Sequence, residues 1–171
     1  MFASYFQESR KMKLIPYESR YKNQVIALIL YLQNYDNQVD LSLEEQPDMN
    51  AIEDYYMATG GNFWLVVTEE GMVVGTIGLL VKEQLGILKK FFVHQDFRGR
   101  EKGVSSLLYQ ALVADCQAKD VKTIVLDTPS KCYAAHRFYE KQGFQQIEKE
   151  DLPIRYDYPD RDSLIFILNL L

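Results

Sequence analysis

The sequence predicts an α/β (α+β) fold in which helices flank a mixed, partly parallel sheet. Its β-rich and helical runs follow the order βααβββαβαββ, and strands separated by helices need crossovers that make part of a sheet parallel. The chain has 171 residues, of which 47% are hydrophobic, and this is enough to fill one core. We therefore expect a single domain over 12–171, preceded by a flexible leader at 1–11.

The first half of the chain predicts a strand, two helices and a hairpin. MKLIPY at 12–17 is a short strand candidate, and the apolar spacing that follows predicts a helix over 19–35. After an acidic loop, a second helix is expected over 51–58. The β-rich runs on either side of the Glu70-Gly71 turn predict a hairpin.

The second half alternates between strand and helix. In chain order we expect a strand at 86–94, a helix at 103–119, a strand at 122–128, a helix at 133–142, and strands at 144–149 and 163–171. The helix at 103–119 carries an apolar stripe of the width that a core-facing helix needs.

Charge and composition exclude several function classes. A net charge of -5 and a pI near 5.1 argue against a nucleic-acid partner. No apolar run reaches the ~18 residues that span a bilayer, and the first residues lack the apolar core of a signal peptide. Two cysteines form no disulfide framework, so we expect free thiols in a cytoplasmic protein without a membrane partner.

The stretch HQDFRGREKGVSSLL, residues 94–108, predicts an anion site. Three basic residues and two glycines stand within 98–103, directly before an amphipathic helix. The free backbone N–H groups and the macrodipole of a helix start favour an anion, most often a phosphate. Arg98 and Arg100 can add bidentate bonds to phosphate oxygens.

The segment from Leu88 to Ile147 resembles the GNAT superfamily of N-acetyltransferases. FFVHQDFRGREKG is similar to the family's strand, turn and loop at a helix start, and the strand TIVLD follows it. AAHRFYEKQGF matches the family's Ala-x-x-x-Tyr-Glu-Lys-x-Gly-Phe ending. The resemblance implies the GNAT fold, acetyl-coenzyme A as cofactor, and transfer of its acetyl group to a primary amine of a small molecule or a protein.

The resemblance also implies where the cofactor lies. The loop at the helix start would hold the pyrophosphate, and the preceding strand, if it separates from its neighbour, would offer main-chain groups to the pantetheine amides. The implied cofactor-binding residues are Phe91, Val93, Arg98, Gly99, Arg100, Glu101, Lys102, Gly103, Val104, Ser105 and Cys132.

Three residues depart from the family pattern. Glu101 stands where the family has its first loop glycine, Gln95 replaces a proline, and Cys132 stands where many members have an asparagine. A carboxylate at Glu101 is favoured by the helix dipole but repelled by a pyrophosphate. These departures support an alternative, a non-catalytic acyl-CoA-binding or protein-interaction module with the same fold.

Tyr139 is the general acid that the resemblance implies. A phenol of pKa near 10 that protonates a thiolate of pKa near 8.5 works uphill by about 1.5 units, or roughly 2 kcal/mol, which a positioned hydrogen bond can offset. The alternative is that Tyr139 is a packed aromatic beside Phe138 and Phe144.

The general base is less defined. Asp127, at the end of its strand, and Glu83, just after another, are the candidates, and both can also be solvated or capping residues. Acidic residues between the first two helices would suit a cationic amine or form a solvated face. They are Asp40, Glu44, Glu45 and Asp48.

Three further features carry no predicted chemistry. Cys132 and His136 share a helix face, but no further ligand accompanies them, so no metal site is predicted. Trp64 is expected in the core. Dimerisation is common in this fold, and the apolar strand at 163–171 could serve a homodimer.

Overall fold

A seven-stranded sheet organises the chain, and the computed structural model describes residues 11–159 and 162–170. The predicted leader therefore lies outside the described residues, apart from Lys11. The strands are Met12–Pro16 (β1), Asn62–Thr68 (β2), Val73–Lys82 (β3), Leu85–Val93 (β4), Thr123–Pro129 (β5), Gln145–Ile147 (β6) and Ser163–Asn169 (β7). Their order across the sheet is β1-β2-β3-β4-β5-β7-β6.

Three α-helices flank this sheet in the described part of the chain. They are Lys22–Tyr31 (α1), Val104–Ala118 (α2) and Tyr133–Lys141 (α3). A π-helical turn, Leu32–Asp36, extends α1. The helix predicted over 51–58 is wrong in type, because the chain forms a 3-10 turn at Pro47–Asn50 and a π-helical turn at Glu53–Met57.

The two central strands, β4 and β5, separate from each other. They form the parallel pair of the sheet, but their pairing runs only from Leu85↔Thr123 to Ile87↔Val125. Beyond Ile87 the strands are unpaired with each other, which leaves an opening between them. The prediction of a mixed, partly parallel sheet flanked by helices is confirmed.

A bulge in β4 lies at this opening. Thr76 pairs with Phe92 while Gly78 pairs with Lys89, so β4 holds one residue more than β3 there. Lys90 has a φ of 53°, and its carbonyl accepts a hydrogen bond from Thr76 Oγ1 at 2.7 Å. The extra residue breaks the alternation of side chains along β4.

The last strand is internal to the sheet. β7 pairs with β5 along its whole length and with β6 from Ile165 to Ile167. Ile165 and Phe166 are each 1% exposed, so the apolar residues of this strand build the core. These two side chains are therefore not available for a contact between protomers, and a homodimer stays a prediction.

Two hydrophobic cores lie on opposite faces of the sheet. One contains Trp64, as expected, and packs against α2 and α3, while the other packs against α1 and the 49–56 segment. A Cβ atom at Gly75 would lie 2.8 Å from Leu108 Cδ1 and 2.9 Å from Val104 Cγ1. Because glycine allows this close approach, the start of α2 sits directly on β3, beside the end of β4.

Candidate active site

The loop between β4 and α2 has the geometry of a tight helix start. Gly99 and Gly103 have φ values of 117° and 69°, which residues with a Cβ rarely adopt. The N–H groups of Lys102 and Gly103 both donate to Gly99 O, at 3.2 and 3.3 Å. Gly103 is the N-cap of α2, and the first N–H groups of a helix have no partner within it. Anion binding by this loop stays a prediction.

Arg98 is engaged by the protein itself. Its Nη2 lies 2.7 Å from Asp36 Oδ2, and its Nε donates to Val93 O at 3.0 Å. Gln95 Nε2 donates to the other oxygen of Asp36 at 2.9 Å. Partial burial opposes ionisation, but the hydrogen bonds from Arg98 and Gln95 lower the pKa of the Asp36 carboxyl below its usual value. Arg98 thus joins the turn after α1 to the end of β4.

Arg100 and Glu101 are exposed in this loop. The Glu101 carboxylate lies against Gly99, because a Cβ there would be 2.8 Å from Glu101 Oε1. A negative charge therefore stands at the loop where a pyrophosphate is predicted, as the sequence suggested.

Lys102 is anchored within the loop, and the side chain of Val104 is buried. Lys102 Nζ donates to Asp96 O and lies 5.5 Å from the centre of the Phe97 ring. Val104 is 1% exposed and packs in the core, so only its backbone can contribute to an anion site.

The main chain of Val93 faces the opening. His94 N donates to Val74 O at 2.8 Å, and Val93 pairs with Gly75 at the next position. Because hydrogen-bonded and non-bonded pairs alternate along an antiparallel ladder, the N–H and C=O of Val93 point away from β3. The N–H of Val93 therefore points into the opening, whereas its C=O already accepts the hydrogen bond from Arg98 Nε. Binding of pantetheine by this strand stays a prediction.

A cavity of about 610 Å³ occupies the opening between β4 and β5. It brings together most of the predicted residues that lie outside the loop tip, while Gly99 to Val104 are not in its wall. The predicted residues that line it are Phe91, Val93, Arg98, Ser105, Asp127, Cys132 and Tyr139.

Tyr139 is both a packed aromatic and a wall residue of this cavity. It is 5% exposed, and its ring centre lies 5.6 Å from that of Phe144 and 6.3 Å from that of Phe91. Burial, with the charges of Asp127 and Cys132, raises its pKa well above the usual tyrosine value. Its hydroxyl therefore keeps its proton at neutral pH.

The helix that carries Tyr139 is fixed at its start by His136. His136 Nε2 forms a 2.9 Å hydrogen bond with Pro129 O at the end of β5. Cys132 and Cys116 are both free thiols, and burial raises the pKa of each. The described residues hold no cluster of three potential metal ligands.

Asp127 reaches the cavity from β5. Burial raises the pKa of its carboxyl, although nearby Lys89 and a hydrogen bond from Tyr156 partly oppose this. Tyr156 OH donates to Asp127 Oδ1 at 2.9 Å. Glu83, the other candidate base, is exposed in the β3–β4 turn and does not line the cavity.

A buried polar cluster lies behind the bulge in β4. Lys90 Nζ donates to Gln46 Oε1 at 2.5 Å and lies 3.8 Å from Asp48 Oδ2. Tyr56 OH donates to the same Asp48 oxygen at 2.6 Å, and burial raises its pKa. Burial also lowers the pKa of Lys90, while Asp48 opposes this.

The acidic residues considered for a cationic acceptor are not brought into this cavity. Asp48 turns inward and is paired, and Asp40, Glu44 and Glu45 do not line the cavity. Its charged wall residues on this side include two lysines, Lys89 and Lys90, beside Asp127.

Comparison with known proteins assigns the family. The sequence matches the model of the acetyltransferase (GNAT) family over residues 28–144. The chain belongs to this family. It is similar to an acetyltransferase from Streptococcus agalactiae, with 37% identity and a TM-score of 0.90 over 94% of this chain and 99% of that one.

Two further similarities are to a curated synthetase and to a solved acetyltransferase. Over 61% of its length the chain is 35% identical to N-acetylaspartate synthetase from Danio rerio, but it spans only 37% of that protein. The PaiA N-acetyltransferase from Thermoplasma acidophilum, solved with coenzyme A, has a TM-score of 0.74 over 93% of this chain and 99% of that one. At 12% identity it is similar in fold alone.

The helices in 11–159 and 162–170 are each too short or too polar to cross a membrane.

Proposed function

We propose that this protein is an acetyl-coenzyme A-dependent N-acetyltransferase that acts on a primary amine of a small molecule or a protein. The observation that carries the proposal is one cavity, between β4 and β5, lined by Val93, Ser105 and Tyr139. It extends from the start of α2 to the buried side chain of Tyr139. Family membership supports the same reaction.

The residues present fit acetyl-coenzyme A. The outward-facing N–H of Val93 can donate to a pantetheine amide carbonyl, and the glycine-bounded loop before α2 suits a pyrophosphate. Ser105 and Cys132 line the cavity between them. Arg98 holds Asp36 and Val93 O, so we assign it the role of tether between the two parts of the site. When bound, the cofactor supplies an activated acetyl thioester.

Tyr139 is proposed to hold the proton for the departing thiolate. Its raised pKa keeps the hydroxyl protonated at neutral pH. The same shift makes full proton transfer more costly than the roughly 2 kcal/mol expected for an ordinary tyrosine. Tyr139 therefore acts best as a strong hydrogen-bond donor in the transition state, within a wall of aromatic side chains that excludes water.

Asp127 is proposed to take a proton from the acceptor. An amine of pKa near 10.4 lies about 3.4 units above neutral pH, so its deprotonation costs about 4.6 kcal/mol. A carboxylate with a raised pKa is a better base than an ordinary aspartate. The hydrogen bond from Tyr156 holds the carboxylate in place.

The cellular setting and the acceptor belong to the same proposal. Free thiols at Cys116 and Cys132 are typical of a reducing compartment, which supports a cytoplasmic location. The name of the Danio rerio relative makes free amino acids the first acceptors to test.

The test is calorimetric titration with acetyl-coenzyme A, followed by thiol release with a panel of primary amines. Wild type and Glu101→Gly are compared. Binding with amine-dependent thiol release supports the enzyme. Binding without thiol release for any amine favours the non-catalytic module, whereas no binding by either protein overturns the cofactor assignment.

A further inference from the structure

We infer that the acceptor carries a carboxylate as well as its amine, and that Lys89 binds this carboxylate. The inference rests on the proposed N-acetyltransferase function and names the acceptor class of the same site. Three features of the acceptor side carry it: Lys89, which forms no ion pair among the described residues, its ion-paired neighbour Lys90, and the carboxylate of Asp127 on the opposite strand.

Lys89 is a half-buried cation in the cavity wall. It follows the last residues of β4 that pair with β5, so it stands at the opening between the two strands. Its Nζ donates to Asp157 O at 3.2 Å and lies 5.8 Å from the centre of the Tyr156 ring. Among the described residues, no carboxylate lies within ion-pair distance of it. An ammonium has three donors, so it can still bind an anion from the cavity.

Lys90 gives an internal comparison. The bulge places both lysines against elements that lie on the α1 side of the sheet, since Lys90 contacts Gln46 and Lys89 lies over Tyr156. The side chains of Lys90 and Asp48 are each only 9% exposed and form a buried ion pair. Lys90 is therefore neutralised by a direct ion pair, whereas Lys89 acts on Asp127 only from beyond ion-pair distance and keeps donors for a ligand.

Asp127 faces the same cavity from β5 with the opposite charge. Tyr156 contacts both groups, because its hydroxyl bonds Asp127 and its ring lies under Lys89 Nζ. The two charged groups therefore both lie beside Tyr156. A carboxylate for the amine end and an ammonium for the acid end complement an amino-acid-like acceptor. A simple cationic amine would leave Lys89 facing it with like charge.

The test measures thiol release from acetyl-coenzyme A with paired acceptors, L-aspartate against L-aspartic acid diamide and β-alanine against β-alaninamide. Wild type is expected to prefer the carboxylate-bearing member in kcat/KM by about tenfold or more, the range of one charged hydrogen bond. Lys89→Gln should raise KM for these acceptors by a similar factor, while KM for acetyl-coenzyme A and the rates with the amides stay the same. Lys89→Arg should restore part of the preference.

Lys82→Gln, at the exposed end of β3, is the matched control and should match wild type throughout. Equal use of acids and amides by wild type, or an equal loss on both in Lys89→Gln, overturns the inference and leaves the proposed function standing. Acetyl-coenzyme A binding without thiol release for any acceptor overturns the proposed function, and the inference with it.

Discussion

The two sides of the opening between β4 and β5 differ in chemistry. The side that faces α2 and α3 is aromatic, with Phe91, Phe138 and Tyr139 in contact. The side that faces α1 carries Lys89 and Asp127, with tyrosine hydroxyls bonded to its carboxylates. The first side suits a ligand recognised by shape and backbone bonds, while the second selects by charge. Substitutions on the two sides should therefore change different kinetic constants.

Tyr139→Phe, on the aromatic side, should give the largest effect. It should change turnover without changing cofactor binding. Loss of the hydroxyl removes the proposed proton donor, so kcat should fall about 100-fold or more. The dissociation constant of acetyl-coenzyme A and the thermal unfolding midpoint should stay close to wild type, because the ring and its neighbours remain. Thiol-release kinetics and calorimetry check this, and an unchanged kcat would rule out the general-acid role.

Asp127→Asn on the charged side should lower kcat at neutral pH by about tenfold or more. Since burial raises the pKa of Asp127, the wild-type rate should rise with pH through a value above that of an ordinary aspartate. In Asp127→Asn this fall of the rate toward acid pH should be absent. A pH profile of kcat/KM tests the assignment, and the same fall in both proteins would transfer the base role to another group.

The same variant should change stability in a pH-dependent way. A carboxyl with a raised folded pKa contributes stability below its unfolded pKa and loses it as pH rises through the folded pKa. Asp127→Asn is uncharged at all pH values, so its free energy of unfolding relative to wild type should increase between acid and neutral pH. Urea unfolding at several pH values measures the trend, and a constant difference would contradict the raised pKa.

Arg98 and Asp36 form an ion pair that joins the two sides of the opening. Arg98→Ala and Asp36→Asn test how much this pair contributes to cofactor binding. Partly exposed pairs contribute at most about 1 kcal/mol, so each variant should weaken acetyl-coenzyme A binding by no more than about fivefold. The double variant should be no worse than Arg98→Ala if the pair acts as one unit. Calorimetry on all four proteins gives the coupling energy. Fully additive losses would mean that Arg98 contacts the cofactor independently of Asp36.

Glu101→Gln should have the smallest effect and the opposite sign. Removing a carboxylate beside the loop relieves repulsion worth about 0.3–1 kcal/mol at a helix start, so acetyl-coenzyme A should bind about two- to fivefold more tightly. The gain should shrink at high salt. Glu70→Gln, in the exposed β2–β3 turn, is the control. A weaker complex in Glu101→Gln would show that this carboxylate contributes to binding instead.

The sequence by itself determined the mixed sheet, the loop before α2 and the helix that carries Tyr139. Each depends on local signals, such as apolar periodicity, paired glycines and a contiguous motif, which neighbouring residues supply. The helix expected at 51–58 was the exception in type. That segment forms 3-10 and π-helical turns, and its Tyr56 reaches back to Asp48.

Only the tertiary structure decided which charges meet. Asp36 lies 62 residues from Arg98, and Tyr156 lies 29 residues from Asp127, so no local spacing pairs them. In a regular strand Lys89 and Lys90 would lie on opposite faces of the sheet. Because of the bulge at Lys90, both contact elements on the α1 side. The role of the acidic loop could likewise not be predicted from the sequence, because only the fold buries Asp48 against Tyr56 and Lys90. Helices, strands and turns depend mainly on residues that are close in the sequence. The charges of the acceptor site depend instead on strand register and on contacts between distant residues.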